Sequence, residues 1–391
     1  MVMEIDRAIK ALLDLVRNEI FGNEISSQTK NLITEEFLKD LYKLSRAHDL
    51  AHIVGDSLDK NGLIDENSEV GKRFLKEREK ALFRVVQTDI EIETLFSVFD
   101  GAGIPYIPLK GAVIRPLYPE TWMRTSCDID VLVKREDLQR AMDVLEAQAF
   151  YKKGDIATHD ASVYSPSGVH VELHYDLTDS DSKPEERALF DKVWDLAKKT
   201  DGERYDMPED LSYAYFISHM AKHVRFGGCG IRSFIDLWLI NHKTEYDREK
   251  REETLKKCHL LKFAQCVENL SNVWFEDAEG DDLTCELAEY VLKGGVYGSF
   301  ENRVQTQQAF KKNKFSYLLT RIFLPYDVLK FRFPILQKHK WLFPFCQVAR
   351  WVKMIFNKER KEQSFKELKK TMDSSSDSQN KAKAFLDNIG L

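Results

Sequence analysis

The chain opens on a helical rhythm. Ile5, Ile9, Leu12, Leu13 and Val16 recur at three- and four-residue intervals, the spacing that lines one face of an α-helix. Leu38, Leu41 and Leu44, then Ala51, Ile53, Val54 and Leu58, predict a second and a third helix. From Phe74 to Phe99 the apolar positions Leu75, Leu82, Val85, Val86, Ile90, Ile92 and Leu95 predict one long helix. Asp100-Gly101-Ala102-Gly103 supplies its stop. Residues 1–100 therefore read as an N-terminal helical region.

The period then changes. Ile104-Pro105-Tyr106-Ile107-Pro108-Leu109 is a short strand-like run, followed by Lys110-Gly111 and a short helix from Ala112 to Leu117. Asp128-Ile129-Asp130-Val131-Leu132-Val133 alternates like a strand. Asp137 to Ala149 places Leu138, Ala141, Met142, Val144 and Leu145 on an amphipathic helix. Ala161–Tyr164 and Val169–Tyr175 flank Ser165-Pro166-Ser167-Gly168, a β-hairpin pattern. Residues 101–178 thus form a small mixed α/β core. Residues 179–312 return to helices: Met207-Pro208-Glu209-Asp210 announces one through His219 and His223, and another carries Phe234 to Asn241. Residues 313–391 form a basic, aromatic segment and a tail in which Ser374-Ser375-Ser376-Asp377-Ser378 precedes a short helix. The expected class is α+β, a small mixed-sheet core embedded between helical regions.

Composition narrows this picture. At about 150 residues per domain, 391 residues allow two or three domains. With 43% hydrophobic and 31% charged residues, the chain has the balance of a globular protein. Lys plus Arg number 58 against 64 Asp plus Glu, a net charge of -6, which excludes a general nucleic-acid coat protein. The basic patch lies in residues 311–361, where only Asp327 and Glu359 oppose the cations. Its aromatics include Phe331, Phe333, Trp341, Phe343, Phe345, Trp351 and Phe356. The plain reading is a solvated face packed on a core; the alternative is contact with an anionic membrane surface or a polyanion. The six cysteines contain no CxxC pair, which argues against a zinc ribbon or a thioredoxin-type site, and their scatter suits reduced thiols. Glu4, Asp6 and Arg7 interrupt the N-terminal apolar positions, so no signal peptide is expected. No run approaches the roughly 18 apolar residues of a membrane span. The expected location is cytoplasmic, with a peripheral membrane contact through residues 311–361 as the variant.

The candidate chemistry sits in the mixed core. Residues two apart on a strand share a face, so Asp128 and Asp130 point one way while Ile129 and Val131 enter the core. Aspartate suits strands poorly, and two of them among Ile129, Val131, Leu132 and Val133 call for a reason. His170, Glu172 and His174 share a face by the same rule. If the two strands are neighbours, Glu172 approaches both aspartates. Three carboxylates on one face repel unless a cation lies between them, so neutralising Asp130 is expected to relieve repulsion in the absence of metal. Hard oxygen ligands favour Mg²⁺, with Mn²⁺ as the alternative. Two such ions about 3.5–4 Å apart clamp the attacking and leaving oxygens of a phosphoryl group. Lys110-Gly111 supplies the anion side: it opens a helix, where free N–H groups favour an anion. Gly111 lets a phosphate approach the backbone, and Lys110 adds a point charge.

Leu109-Lys110-Gly111, Arg124-Thr125-Ser126-Cys127-Asp128-Ile129-Asp130 and Val171-Glu172-Leu173-His174 together resemble the polymerase β-like nucleotidyltransferase superfamily, and within it the bacterial uncharacterised nucleotidyltransferase family. As in that family, Lys-Gly stands where the superfamily usually carries Gly-Ser; in this sequence the third acid is Glu rather than Asp. The resemblance covers Ile104 to Tyr175 and extends through His219–His223 and Gly230–Leu237. It implies a metal-dependent transfer of a nucleoside monophosphate from a nucleoside triphosphate, ATP among them, to a hydroxyl acceptor with release of pyrophosphate. Asp128, Asp130 and Glu172 would be the catalytic and metal-binding residues. Lys110, Gly111, Arg124 and Ser126 would bind the nucleotide's phosphates.

Several residues keep a plainer reading. His219 and His223 have the spacing of a zinc pair, but no Glu follows His219, so a packed histidine is the commoner outcome. Arg232 and Asp236 are i, i+4 and suit a plain helix ion pair. With His223 they could instead face a substrate. Arg124 suits either a phosphate contact or a pairing with the acids. The rival functions are a non-catalytic nucleotide-binding scaffold and a metallohydrolase built on His170, His174, His219 or His223. The acceptor classes that fit are a small hydroxylated molecule, a sugar-containing intermediate and a protein side chain; nucleic acid is not expected.

Overall fold

Four helices, α1 (Val2–Phe21), α2 (Ser27–Leu32), α3 (Glu35–Ala47) and α4 (Ala51–Lys60), lead into the 34-residue α5 (Glu69–Ala102). The computed structural model describes residues 2–152, 159–179, 182–296, 335–356 and 376–391, with residues 323, 324, 326, 329 and 333. Ser26, Thr34 and Ser68 each cap a helix by accepting a hydrogen bond from a first-turn backbone N–H. Gly103, at φ 64°, ends α5 in the left-handed region where a glycine carries no Cβ penalty.

A five-stranded sheet follows. Its elements are β1 (Tyr106–Pro108), α6 (Gly111–Ile114), β2 (Asp128–Val133), α7 (Leu138–Glu146), β3 (Tyr151–Lys152), β4 (Asp160–Tyr164) and β5 (His170–His174). The strand order is β1-β2-β5-β4-β3; β2 and β5 run parallel, and the other neighbours are antiparallel. The hairpin between β4 and β5 turns where the Ser-Pro-Ser-Gly pattern stands, with Gly168 at φ 90°. Then come α8 (Pro184–Phe190), α9 (Val193–Leu196) and a two-stranded ribbon of β6 (Lys198–Lys199) and β7 (Tyr205–Asp206). Five helices complete this part: α10 (Glu209–Arg225), α11 (Ile231–Lys243), α12 (Arg248–Lys257), α13 (Leu261–Phe275) and α14 (Asp282–Gly294).

The alternation along β2 decides which side faces what. Ile129, Val131 and Val133 pack with Val171 and Leu173 against Leu95 and Phe99 of α5 and Leu138, Ala141 and Leu145 of α7. Leu132 faces the other way, into a larger core shared by α1, α3, α4, α10, α11 and α13. Phe385, Leu386 and Ile389 of the C-terminal helix (Ser376–Ile389) close the same core. Each fully buried Leu or Phe here contributes about 1.5–3 kcal/mol, so a strand buried on both faces is held firmly. Asp128 and Asp130 share the face of Leu132 and look toward the helices.

Residues 297–322 and 357–375 lie outside the described residues, and with them Lys311, Lys312, Lys314, Arg321, Lys358, Arg360 and Lys361 of the basic segment. Its described part contains a helix over Phe343–Phe356, beside which Trp341 is 68% exposed and on which Phe345 is 65% exposed. Among the described residues, no helix is long and apolar enough to cross a membrane.

Candidate functional site

Parallel pairing of β2 with β5 sets Asp130 opposite Glu172, Asp128 opposite His170 and Leu132 opposite His174. Neighbouring strands lie about 4.8 Å apart, so these side chains meet on the helical face of the sheet. One ligand atom each from Asp128, His170 and Glu172 fall within 4.8 Å of one another, and so do atoms from Asp130, Glu172 and His174. Glu172 belongs to both groups. The sequence-predicted acids are therefore brought together, and two histidines join them. His174 Nε2 donates to Asp130 Oδ1 at 2.9 Å and lies 3.4 Å from Glu172 Oε2. His170 Nδ1 is 4.0 Å from Glu172 Oε1, while its Nε2 is 3.0 Å from Ser162 Oγ. Lys110 Nζ donates to Asp130 Oδ1 at 2.7 Å.

The acids differ in their electrostatics. Burial, then the charges of Asp130 and Glu172, raise the pKa of Asp128. Burial works the same way on Asp130, but Lys110 and His174 overcome it and hold that carboxyl far below the usual range. The hydrogen bond from His174 lowers Glu172. For His174, burial disfavours the imidazolium, and the bonds to Asp130 and Glu172 outweigh it and raise the pKa. Relief of repulsion therefore belongs to Asp128. Neutralising Asp130 would instead leave Lys110 Nζ and His174 Nε2 without their shared carboxylate partner, contrary to the expectation from the sequence. The donor set suits a hard or borderline divalent cation: each of the two groups brings two carboxylates and an imidazole together, and they share Glu172.

The turn that carries Lys110 is unusual. Lys110 has φ 43° and ψ -109°, a region that residues with a Cβ avoid and that costs of order 1–3 kcal/mol. Backbone bonds hold it there: Leu109 N–H to Asp130 O at 3.1 Å, and Val113 N–H and Ile114 N–H to Lys110 O at 3.1 and 2.9 Å. The helix that follows is a single turn continued by a 3-10 turn over Arg115–Leu117. So short a helix carries little macrodipole, and attraction for an anion rests on Lys110 itself. A Cβ on Gly111 would stand 2.8 Å from Arg124 Nη1, so glycine here makes room for a guanidinium.

Arg124 is buried and paired. Its Nε and Nη2 donate to Asp236 Oδ1 and Oδ2, both at 2.9 Å, and Tyr118 Oη donates to Asp236 Oδ1 at 2.7 Å. Arg232 turns away from Asp236, one helical turn distant, and donates to Asp49 Oδ2 at 2.7 Å and Thr125 O at 2.8 Å. Ser126 Oγ accepts from Arg115 Nη2 at 3.0 Å.

A cavity of about 430 Å³ opens between α6 and the helices α10 and α11. Lys110, Arg124, His223, Arg232 and Asp236 all reach its wall, whereas Asp128, Asp130 and Glu172 do not. The rings of His219 and His223 meet edge to face at 4.4 Å. Desolvation by the cavity walls, reinforced by Lys110, keeps both histidines below the usual imidazole range and neutral. Tyr215, absent from the sequence reading, is pushed up to about 12 by burial, with Asp130 and Glu172 adding to it. Its signal was available: Tyr215, His219 and His223 stand at i, i+4 and i+8 and share one face of α10.

No curated protein matches the chain, and no solved structure matches it. The sequence model of a family described as uncharacterised nucleotidyltransferase matches residues 35–276. That span takes in α3, the whole sheet, and the cavity helices α10 and α11. Covering more than half of the 391 residues, the match makes this chain a member of the uncharacterised nucleotidyltransferase family.

Proposed function

We propose that the protein moves a nucleoside monophosphate from a nucleoside triphosphate to a hydroxyl acceptor, releasing pyrophosphate. Family membership supports nucleotidyl transfer in general. The observation that carries the finer reading is the register of Asp130 against Glu172 on parallel strands, with Asp128 two residues away on the same face. Asp128, Asp130 and Glu172 would hold Mg²⁺ or Mn²⁺. Such ions, when bound, neutralise the triphosphate and the charge developing on it. The acceptor oxygen attacks the α-phosphorus, the bond to pyrophosphate breaks, and Glu172, an ionised carboxylate, takes the hydroxyl proton. Lys110 and the Gly111 backbone meet the triphosphate. Arg124 keeps Nη1 over Gly111 while Asp236 locks its other nitrogens, which suits that group to a phosphate. Ser126 supports the same turn. The cavity lined by His223, Arg232 and Asp236 takes the part of a substrate that extends beyond the phosphates. Most of the rate then comes from positioning and charge neutralisation.

The test is a thermal-shift screen of divalent metals with triphosphates, followed by acceptor fishing with labelled triphosphate. Metal and triphosphate together should raise the melting temperature more than either alone. Unchanged melting under every combination, or full transfer by Asp130→Asn, refutes the reading.

A second contact is carried by Phe345, Val348 and Val352, exposed along one face of the helix over Phe343–Phe356, with Trp341 exposed in the turn just before it. Between Ile335 and Phe356 the sequence has Lys338, Lys340, Arg350 and Lys353 and no acid. An exposed apolar stripe in a cationic segment suits the surface of an anionic membrane, approached from the cytoplasm.

A further inference from the structure

Lys110 belongs to two neighbourhoods at once. It lines the cavity, and its Nζ lies 2.7 Å from Asp130 Oδ1 with only 19% of the side chain exposed. His174 Nε2 reaches the same oxygen at 2.9 Å. The carboxylate expected to take a divalent cation is thus already neutralised by the protein. An ammonium is a donor only and cannot join a metal's ligand shell. Held within hydrogen-bond distance of the same oxygen, it repels an incoming dication.

The backbone adds a second observation. A glycine would adopt φ 43°, ψ -109° without strain, yet a lysine stands there. The turn is fixed on both sides by bonds to Asp130 O and from Ile114 N–H, so the Cα cannot relax away. What can move is the flexible four-carbon stem. Strain retained at a ligand site points to a role for the strained side chain.

We propose that Lys110 is an internal counter-cation that holds Asp130 until a triphosphate draws its ammonium away, coupling divalent-cation binding to triphosphate binding. The inference rests on the nucleotidyl-transfer reading, and it makes Lys110 a positioning residue for the acids as well as a phosphate contact. Coupling of this kind is reciprocal: each ligand tightens the other by the same factor.

The experiment measures Mn²⁺ affinity of the full chain by electron paramagnetic resonance, with and without a non-hydrolysable triphosphate analogue, allowing for Mn²⁺ held by the analogue in solution. Wild type is compared with Lys110→Gly, Lys110→Met and Lys110→Arg. Wild type should bind Mn²⁺ weakly alone and at least about tenfold more tightly with the analogue. Lys110→Gly and Lys110→Met should bind Mn²⁺ alone at least about tenfold more tightly than wild type. The analogue should then add less, because no ammonium remains to be displaced. Lys110→Arg should behave like wild type. The glycine variant relieves the backbone strain and so remains informative if the methionine variant fails to fold. A purely structural lysine would leave Mn²⁺ affinity unchanged or weakened on removal. The proposal is overturned if Lys110→Gly binds Mn²⁺ alone no more tightly than wild type, or if the analogue enhances both equally. Wild type that binds neither Mn²⁺ nor the analogue removes the nucleotidyl-transfer reading along with it. Binding of both with unaltered coupling in Lys110→Gly removes only the role of Lys110.

Discussion

Asp236→Asn tests the internal frame of the site. In the native protein Asp236 receives both Arg124 bonds at 2.9 Å and the Tyr118 hydroxyl at 2.7 Å. The two charged side chains are 8% and 4% exposed, so water cannot replace the missing partner. The amide keeps the shape and can still accept from Tyr118, but its NH₂ confronts a guanidinium donor and the Arg124 charge is left buried without a counter-ion. Breaking a buried pair from one side costs about 3–5 kcal/mol. Urea unfolding, followed by far-UV circular dichroism and tryptophan fluorescence until the two transitions coincide, reads this loss directly. The double variant Arg124→Met/Asp236→Leu removes both charges and should recover most of the stability, since replacing a buried pair with apolar groups of similar size is often neutral. It should not recover triphosphate affinity, because Arg124 Nη1 is gone from above Gly111. An Asp236→Asn protein within about 1 kcal/mol of wild type would refute the reasoning, as would a double variant no more stable than the single one.

Gly111→Ala should lose about 1–3 kcal/mol, because its methyl would press at 2.8 Å on a guanidinium that Asp236 prevents from yielding; differential scanning calorimetry checks it, and an unchanged transition would show that Arg124 is free to move. In a metal-free chelating buffer, Asp128→Asn should melt above wild type and Asp130→Asn below it, because the first removes a charge that burial and then repulsion disfavour and the second unpairs Lys110 and His174. Both should lack transfer activity, and the opposite order of melting would contradict the charge assignment. Phosphatidylcholine vesicles with added phosphatidylglycerol should sediment the protein at low salt and release it at high salt, where charges are screened. Phe345→Ser with Trp341→Ser should abolish sedimentation, and no binding at low salt would leave the exposed stripe without a membrane role.

The sequence made the acids legible and left their partners hidden. Asp128 and Asp130 betray themselves because a two-residue period puts both on one face of an otherwise apolar strand. That Glu172 lies directly opposite Asp130 depends on β2 and β5 being neighbours, which local pattern does not fix. The helices announced by Ile5–Val16, Leu38–Leu44 and Phe74–Phe99 are present as α1, α3 and α5, although on α5 Leu82, Val86 and Ile90 of the announced positions are exposed while Phe74, Val85, Leu95 and Phe99 are buried. Strands β3, β6 and β7 went unseen because two residues are too few for any period. Arg232 and Asp236 show the same limit from the other side. Their spacing predicts a local pair, but each finds a partner more than a hundred residues away, Asp49 for one and Arg124 for the other.

Those distant partners all lie within the span of the family match. The stretch between β1 and β2 is anchored by two arginine–aspartate pairs of its own, to α5 and α11, and by a bond from Arg232 to its backbone. Arg115 reaches Asp89 of α5 at 2.7 Å, Arg124 reaches Asp236 of α11 at 2.9 Å, and Thr125 O accepts from Arg232, which also binds Asp49 between α3 and α4. This stretch delivers the chain into Asp128, so the placing of the first acid depends on helices on both sides of the sheet in sequence. A sheet that met its helices only through apolar packing could slide on them, because burial is non-directional. Directional ion pairs fix the one degree of freedom that hydrophobic contact leaves loose. The span 35–276 includes every residue in that set of pairs, from Asp49 to Asp236. The position of Asp128 accordingly draws on the helices that hold this loop as well as on the sheet.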